Sequence, residues 1–353
     1  MIKSSNLVTL NKRLKVRTME RRIEIEVANA NHNEEYKQIS LAVPFSQIDS
    51  LRLTAYLLLN ISRTLDSTGF NKILERLQNN ERYLIVTSPF FFVSETNEYW
   101  LPVNPGFFKY FFNKDELEPK KIKSIKYFPV LNKEHYNKDF IEKIGEGNKY
   151  KFEKGPFFRI KNMIDRTNAM SLGVYTVENY YVDPFRFMIL TDDEELSEKI
   201  KNSLFYRGDD SIHFLGKRIS IGFGKVRFRH DNRFYEELSK LNKQFVGEVK
   251  ANKPYYLFNR IPVDEEILSH LDLENSSYEL VKISGYFVKD VELVGRNMFC
   301  FKEGSILKFK DDFKLKNGVY RLSRLESKKE YFLPYRPALI EMEDGGVKNG
   351  VQN

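Results

Sequence analysis

The fold of this chain is organised around the stretch RIKNMIDRTN at residues 159–168, which continues into GVYTVE at residues 173–178. The stretch begins with basic residues and passes through the pair Asp165 and Arg166. It then turns at Gly173 into an aromatic strand. Apolar and aromatic residues that recur in a short run predict a β-strand for this second part.

A second basic stretch, GKRISIGFGK at residues 216–225, follows about fifty residues later. Its glycines allow a close approach of the backbone to a ligand, and cationic side chains surround them, which suits phosphate groups. An ordinary tight turn between two strands is the alternative. The stretch is not a dinucleotide-binding fingerprint, because no helix follows it. It is not a P-loop either, because the Gly-Lys-Ser/Thr ending is missing.

Taken together, the two stretches predict a surface that binds an RNA backbone. Lys161 and Arg166 are candidate RNA contacts in the first stretch, and they flank Asp165. An aspartate beside an arginine most often fixes the guanidinium or caps a turn. We therefore expect Asp165 to be structural, since it has no second carboxylate nearby that would suggest a metal site or a catalytic pair.

Composition fits a protein with large contact surfaces. The 353 residues include 29 Phe and 20 Tyr, more than a single core usually takes up. Some of these rings are therefore expected at a surface, where they stack on bases or fill pockets of a partner. The net charge of +8 arises despite 49 acidic residues. It is typical of basic patches on a globular protein or, equally, of a solvated surface with a small excess of lysine.

The sequence shows no convincing active site, so we predict no catalytic residue, no metal and no cofactor. Cys300 lies in an apolar run and is expected to be a buried, inert thiol. The histidines at positions 32, 135, 213, 230 and 270 lack metal-ligand spacing. His32, in a polar loop, is the one candidate general base for a metal-independent endoribonuclease, although a solvated histidine is the more ordinary interpretation. No signal peptide or membrane-spanning run is found, and we expect a cytoplasmic protein.

Periodicity gives the order of elements. We predict a half-buried strand over residues 21–28, a helix capped by Asp49, and a buried strand over 83–86, the βαβ beginning of many α+β folds. The aromatic segment 90–112 predicts an irregular flap. Alternating lysine and isoleucine over 120–126 predicts an edge strand or hairpin with a cationic side.

Further along, we predict a strand over residues 175–181, a helix with acids at 192–195 in its first turn, and a strand over 226–229. A second α+β unit begins after a connection near residues 231–249. It contains a strand that Gly285 interrupts. The last residues, 343–353, are expected to be disordered.

Several blocks, in order, resemble the RAMP-superfamily subunit number four of Csm complexes, a Cas-five-like subunit of type III-A CRISPR effectors. The blocks cover most of the chain from about residue 83 onward, and their order is more specific than any one of them. They are SPF at 88–90, YWLP at 99–102, the basic run 120–129, KNMIDRT at 161–167, GVY at 173–175, the loop 216–224, YELV at 278–281, GY at 285–286, EGS at 303–305 and YRPA at 335–338.

The resemblance implies an α+β fold of two ferredoxin-like (RRM-like, RAMP) domains. Residues 1–232 would form the first, with a basic hairpin or flap inserted at about 90–158, and residues 233–342 the second. It implies a non-catalytic subunit that holds the 5′ repeat-derived handle of the CRISPR RNA. The subunit would contact the large Cas-ten-type subunit and a neighbouring RAMP backbone subunit. The RNA-binding residues would be Arg159, Lys161, Arg166, Thr167, Lys217, Arg218, Gly222, Gly224 and Lys225.

Three alternatives remain open. A CRISPR RNA-processing endoribonuclease of the same superfamily would carry its glycine-rich loop close to the C-terminus, yet well over a hundred residues follow Gly224. The equivalent subunit of another type III subtype would differ in partners. A protein-interaction scaffold with a merely solvated basic face would not bind RNA in a salt-dependent way.

Overall fold

The computed structural model describes residues 20–30, 38–112, 117–146, 151–164, 171–209, 211–216, 224–289, 292–321 and 332–343. The helices of these ranges are α1 Ser50–Thr64, α2 Ser67–Gln78, α3 Pro105–Phe111, α4 Pro119–Ser124, α5 Lys138–Glu146, α6 Glu194–Leu204, α7 Arg233–Lys240 and α8 Glu265–His270. Short 3-10 turns occupy Phe45–Gln47 and Lys133–His135.

Strands account for more of the described residues than helices do. They are β1 Arg21–Asn29, β2 Ile39–Leu41, β3 Leu84–Val86, β4 Phe91–Val93, β5 Glu98–Pro102, β6 Tyr127–Phe128, β7 Glu153–Ile164, β8 Ser171–Val182, β9 Phe185–Thr191, β10 Tyr206–Asp209, β11 Ile212–Phe214, β12 Lys225–Asp231, β13 Glu248–Val249, β14 Pro254–Leu257, β15 Ile261–Pro262, β16 Leu280–Lys289, β17 Glu292–Phe301, β18 Ile306–Lys308, β19 Phe313–Lys314, β20 Gly318–Arg321, β21 Phe332–Tyr335 and β22 Leu339–Glu341.

The largest sheet has five strands in the order β11-β12-β1-β9-β3, and every neighbouring pair is antiparallel. The predicted first strand is confirmed as β1, with Ile23, Ile25 and Val27 buried. Glu24, on the opposite face of the strand, is also buried. Segments from elsewhere in the chain therefore cover both faces of this sheet, rather than leaving one in water.

The helix that the sequence predicts with a cap at Asp49 and the helix predicted with acids at 192–195 in its first turn are confirmed as α1 and α6. The Asp49 carboxylate accepts a hydrogen bond from the Arg52 amide at 3.0 Å, and Asp193 accepts one from the Leu196 amide at 3.0 Å. Each satisfies an amide that the first helical turn leaves without a partner. The apolar positions of both helices are buried: Leu53, Leu57 and Ile61 in α1, and Leu196, Ile200 and Leu204 in α6.

The aromatic segment 90–112 is regular rather than an irregular flap, so that prediction is wrong. Strands β4 and β5 pair as a hairpin, and α3 follows, with the Asn104 side chain accepting hydrogen bonds from the first amides of the helix. Its large rings lie in the core instead of at a surface: Phe90, Phe91, Trp100, Phe107 and Phe108. Strands of three and five residues are too short for a period to show.

Most of the run of lysines and isoleucines at residues 120–126 lies in helix α4, which ends at Ser124, so the predicted edge strand is also wrong. Pro119 occupies the first helical position of α4, where its missing amide hydrogen has no consequence. Ile122 and Ile125 lie three residues apart, and both are buried. A spacing of three suits one face of a helical turn.

In the second half, three-stranded sheets form in the orders β18-β14-β22 and β15-β17-β16. β16 pairs with β17 over ten residues without interruption, and Gly285 lies opposite Arg296. The expected break at Gly285 is therefore wrong. Antiparallel sheets mixed with helices confirm the α+β class. One hydrophobic core joins residues from both halves, and the division into two ferredoxin-like domains at residue 232 stays a prediction, as does the disorder of residues 343–353.

Candidate nucleic-acid interface

Strands β7 and β8, which contain the described part of the basic stretch at residues 159–178, pair as a long two-stranded hairpin. β7 and β8 have twelve residues each, and Lys161 pairs with Tyr175 along their register. The predicted strand over 175–181 is confirmed. Arg159 lies two residues before Lys161 on β7 and pairs with Val177. Two of the predicted RNA contacts therefore occupy alternate positions of one strand of this hairpin.

The hairpin is attached at its base to the short strand β2. Ile39 pairs with Val182, and Leu41 pairs with Tyr180. The Ser40 hydroxyl donates a hydrogen bond of 2.7 Å to Asn179 Oδ1. These contacts fix the base, because buried backbone and amide groups must find partners when the chain folds.

The end of the glycine-rich stretch meets the same short strand. The Gly224 amide donates a hydrogen bond of 2.7 Å to the Ser40 carbonyl, and the Leu215 amide donates one of 2.8 Å to the Gly224 carbonyl. Gly224 has φ +68°, and a Cβ atom there would lie 1.8 Å from the Leu215 carbonyl oxygen. Only glycine fits at this position. Because its amide is used by Ser40, Gly224 closes the loop rather than offering that amide to a ligand.

β2 is therefore the point where the two stretches meet. Ser40 and its neighbours pair with the hairpin, and the Ser40 carbonyl also holds the end of the glycine-rich stretch. Lys225, half-buried, starts β12 and pairs with Phe214. The remaining predicted RNA contacts lie outside the described residues: Arg166, Thr167, Lys217, Arg218 and Gly222. So does Asp165, for which we expect a structural role.

Two aromatic side chains at the base of the hairpin were not among the predicted contacts. Phe157 and Phe158 are 47% and 67% exposed. The Phe157 ring centroid lies 5.5 Å from that of Tyr181. Consecutive residues of a strand point to opposite faces. Two adjacent phenylalanines therefore place one ring on each face of a strand. In an edge strand such as β7, this pattern predicts that at least one of the two rings is exposed.

The other titratable side chains that the sequence singled out are already engaged. His213 donates through Nε2 to the Leu204 carbonyl at 2.7 Å, which leaves Nδ1 to accept from the Tyr56 hydroxyl at 2.8 Å. Burial lowers the pKa of His213, and the Leu204 carbonyl opposes that change. His135 contacts Glu98 and His270 contacts Asp311. His32 lies outside the described residues.

Cys300 is confirmed as a buried thiol, and burial raises its pKa to about 12. Across the ranges given above, no three His, Cys, Asp or Glu side chains are grouped so as to hold a metal ion. The helices of those ranges include none that is long and apolar enough to cross a membrane.

A buried ionic cluster lies under the central sheet, and we name it the Arg186 cluster. Arg186 of β9 is within 3.7 Å of carboxylate oxygens of Glu24, Glu26 and Asp231, and Asp231 also binds Arg233. Burial and the Asp231 charge raise the pKa of Glu24 to about 7. Burial acts to raise the pKa of Asp231 too, but hydrogen bonds from Arg233 and the charges of both arginines lower it to about 2.

A second buried cluster, the Arg260 cluster, joins the start of α1 to the second half of the chain. Arg260 donates to Asp49 Oδ2 at 2.9 Å and to both oxygens of Glu303 at 2.9 and 2.7 Å. Burial opposes ionisation of Glu303, but the Arg260 charge and hydrogen bonds lower its pKa. Burial outweighs Arg260 and Arg52 at Asp49, so the pKa of Asp49 is raised. The Ser50 hydroxyl also accepts from the Arg260 amide at 2.8 Å.

No protein-family profile matches the sequence, and no curated protein matches it. Among solved structures, the chain is similar to one from the Csm3-Csm4 subcomplex of the type III-A CRISPR-Cas interference complex. The sequence identity is 18%, the TM-score is 0.50, and the match covers 91% of this chain and 99% of that one. The chain therefore shares the mixed α and β fold of that chain, and its division into two ferredoxin-like domains with an inserted hairpin stays a prediction.

Two further structures are less similar. A chain of the Csm1-Csm4 cassette in complex with cA4 is 13% identical, with a TM-score of 0.44, over 92% of this chain and 98% of that one. A chain of the type III-B Cmr-beta complex bound to cognate target RNA and AMPPnP is 14% identical, with a TM-score of 0.42, over 82% and 86% of the two chains.

Proposed function

Because the chain has the fold of a subunit from a type III-A CRISPR interference complex, we propose that it is a non-catalytic, RNA-binding subunit of such a complex. It holds the 5′ repeat-derived handle of the CRISPR RNA. It bridges the large Cas-ten-type subunit to the neighbouring RAMP backbone subunit. It works in the cytoplasm and without a cofactor.

The observation that carries the RNA-binding part is the meeting of two basic stretches at β2. The β7–β8 hairpin, with Arg159 and Lys161, and the glycine-rich stretch that ends at Gly224 are hydrogen-bonded to the same three-residue strand. Two basic stretches whose backbones meet at one strand suit an RNA backbone, whose phosphates follow each other along the chain. The net charge of +8 favours the same class of partner.

Exposed aromatic rings beside these cations add a second kind of contact. Phe158 is the most exposed large apolar side chain in the described part of the chain. Unpaired bases stack on such rings, and the RNA that sequence-specific proteins recognise is mostly single-stranded. We propose that Phe157 and Phe158 stack on bases of the handle while the basic residues hold its phosphates.

The strand order supports a ferredoxin-like first domain. The chain passes through β1, α1, β3, β9, α6 and β12, and the four strands lie in the order β12-β1-β9-β3. This βαββαβ succession belongs to the ferredoxin-like fold. A ferredoxin-like second domain, and a partition of the chain at residue 232, belong to the same proposal.

The test is purification of the tagged protein from its native host at low salt, with sequencing of the bound RNA and identification of co-purifying subunits. Short RNAs that share one 5′ sequence, together with a large polymerase-palm subunit, are the expected result. Absence of both would overturn the proposal. Specific cleavage of repeat RNA by the purified protein would instead establish the endoribonuclease alternative.

A matched pair of variants sharpens this test. The double variant Lys217→Ala, Arg218→Ala removes two charges from the proposed surface. The control variant Lys72→Ala, Lys199→Ala removes two charges elsewhere, from exposed Lys72 of α2 and half-buried Lys199 of α6. The first should weaken binding of a fluorescent handle RNA about tenfold and reduce the salt slope by about 1.4, since each neutralised phosphate contributes about 0.7 for a single strand. The second should leave both quantities unchanged.

A further inference from the structure

An open groove runs along the outer side of α1. It has a volume of about 890 Å³ and lies between α1, the end of α6 and the strand β11. Its lining is mostly apolar, with an aliphatic floor that includes Val43, Leu53 and Leu215. We refer to this feature as the α1 groove.

Large apolar side chains in the α1 groove are exposed rather than folded into the core. Leu59 is 51% exposed, Tyr206 55% and Phe214 39%. They come from three different elements or their ends, yet they face one groove. Contiguous exposed apolar surface of this kind marks a docking site rather than a random scatter of single residues.

The charges of the α1 groove have one sign. Arg52 and Arg63 line it, and no Asp or Glu is among the described residues that do so. Arg63 has no ion pair with any described residue. Arg52 contacts Asp49 at 3.4 Å, but Asp49 lies closer to Arg260, at 2.9 Å. Both guanidiniums therefore retain donors for an acidic partner.

The spacing of the two arginines indicates the shape of that partner. They are eleven residues apart on α1, which corresponds to about 16 Å at the rise of an α-helix. Three turns of a second helix cover the same distance. A helix that buries apolar positions at i, i+3, i+4 and i+7 in a groove places its charges at the rim, where these arginines lie.

A protein helix fits the α1 groove better than a nucleotide does. The polar atoms in its floor are already paired, since Tyr56 binds His213 and the His213 ring also donates to Leu204. The Asn60 amide donates to the Tyr56 carbonyl at 2.8 Å. A base would need free groups to read its edge.

We propose that the α1 groove is a docking site for an acidic, amphipathic helix of a partner protein. The helix places its apolar face on Leu59, Tyr206 and Phe214, and its carboxylates pair with Arg52 and Arg63. This site adds to the proposed RNA-binding function and does not depend on it.

The test uses the full-length protein in its native host, with the photo-reactive residue benzoylphenylalanine in place of Leu59 and, separately, of Tyr206. Phe158 receives the same probe as a control for the RNA surface. We expect the groove probes to cross-link to one protein segment with apolar positions at helical spacing and acidic residues about eleven positions apart. A cross-link to RNA, a cross-link to a basic or extended segment, or no cross-link would overturn the proposal.

The probe at Phe158 tests the proposed RNA-binding function separately from the docking site. If the Phe158 probe fails to cross-link RNA while the groove probes find the acidic segment, the proposed RNA-binding function fails and the docking site stands. The reverse result would overturn the docking site alone.

Charge exchange then tests the pairing of arginines with carboxylates. A fluorescent peptide of the cross-linked segment should bind Arg63→Glu about tenfold more weakly than the unmodified protein, and exchange of its facing acid for arginine should restore binding. Lys199→Glu, which makes the same change of charge on α6, should not alter the affinity. Equal weakening by both variants would show a general charge effect and overturn the proposed pairing.

Discussion

The two buried arginine clusters both pair an arginine with carboxylates, but they differ in the number of carboxylates around that arginine and in the contact distances. Arg186 and Arg260 are 4% and 5% exposed. Arg260 donates to its two carboxylates at 2.7–2.9 Å, so its guanidinium is well satisfied. Arg186 lies 3.2–3.7 Å from oxygens of three carboxylates and shares one of them, Asp231, with Arg233. Glu24 Oε1 has no hydrogen-bond partner there.

This difference separates Glu24, which can take up a proton near neutral pH, from Glu303, which stays ionised, although burial also raises the pKa of Asp49 in the Arg260 cluster. In the Arg186 cluster the surplus of carboxylates is relieved when Glu24 is protonated, which its pKa of about 7 permits. In the Arg260 cluster the bidentate bond to Glu303 keeps that carboxylate ionised. A buried pair contributes little net stability over an apolar replacement, but removal of one partner leaves the other charge uncompensated. The Arg260 cluster should therefore be the more sensitive to mutation.

The largest expected effect is that of Arg260→Met. It leaves Glu303 buried without its closest cation and Asp49 with only the longer 3.4 Å contact to Arg52, and the free energy of unfolding should fall by about 4 kcal/mol. The midpoint of urea unfolding measures this loss. As a control, Asp49→Asn, Arg260→Met and Glu303→Gln combined should lose less than Arg260→Met alone, because no unpaired charge remains. A combined variant as unstable as the single one would contradict this account.

The next effect is a dependence of stability on pH that comes from Glu24. Its pKa is raised in the folded state, so the folded protein binds this proton more tightly than the unfolded chain does. Stability from this group is therefore present at low pH and is lost as the pH rises through about 7. Between pH 5 and pH 8 it should account for about 3 kcal/mol.

Glu24→Gln should remove that part of the pH dependence, and urea unfolding at several pH values measures it. Gln keeps the shape of the side chain and cannot ionise. The matched variant Glu303→Gln should not flatten the curve in the same range, because the pKa of Glu303 is lowered. A Glu24→Gln variant with an unchanged pH profile would show that the Arg186 cluster does not take up the proton.

A smaller effect is expected for Arg186→Met than for Arg260→Met. Without Arg186, Glu24 can take up a proton and Asp231 keeps Arg233, which binds it at 2.6 Å. The free energy of unfolding at pH 7 should fall by about 2 kcal/mol, the cost of partly unsatisfied buried groups. Urea midpoints of the two arginine variants, measured side by side, test the comparison directly. Equal losses would mean that the longer contacts of Arg186 contribute as much to the free energy of unfolding as the shorter contacts of Arg260.

Local sequence patterns predicted the helices and strands that are marked by a cap, by acids in the first turn or by alternation of residues. They did not predict the contacts between elements that are distant in the sequence. The cap at Asp49 located α1, and the acidic first turn at residues 192–195 located α6. Alternation located β1, yet it placed Glu24 on an exposed face. The structure buries Glu24 because β1 pairs with both β9 and β12 in a register that sets Glu24 opposite Met188 and Asp231. Pairing across more than 150 residues leaves no mark in a local pattern.

In the candidate site, too, local patterns predicted the strands but not the contacts between them. The hairpin strand at residues 175–181 and the strand after Gly224 follow from short-range patterns. Their meeting at Ser40 does not, because β2 is only three residues long and is held by groups far along the chain. Lysines that alternate with isoleucines at 120–126 fit a strand and a helical turn equally well. Only the burial of Ile122 and Ile125 on one side decides for the helix.

The smallest effect concerns the exposed edge of the Arg186 cluster. The side chain of Arg233 is 55% exposed, so its ion pair with Asp231 is screened by water and Arg233→Ala should reduce stability at pH 7 by about 0.5–1 kcal/mol.

The Arg233→Ala variant should have a clearer effect on the pKa of Asp231. Hydrogen bonds from Arg233 are the main influence that lowers the pKa of Asp231 to about 2, so the variant should raise that pKa. The stability that Asp231 contributes would then be lost at a higher pH as acid is added. Carboxyl chemical shifts of Asp231 from pH 2 to pH 6 measure the change, and Lys240→Ala, at the other end of α7, should leave them unaltered. An unshifted Asp231 in the Arg233 variant would assign its low pKa to Arg186 instead, and would make the two clusters alike in depending on one buried arginine each.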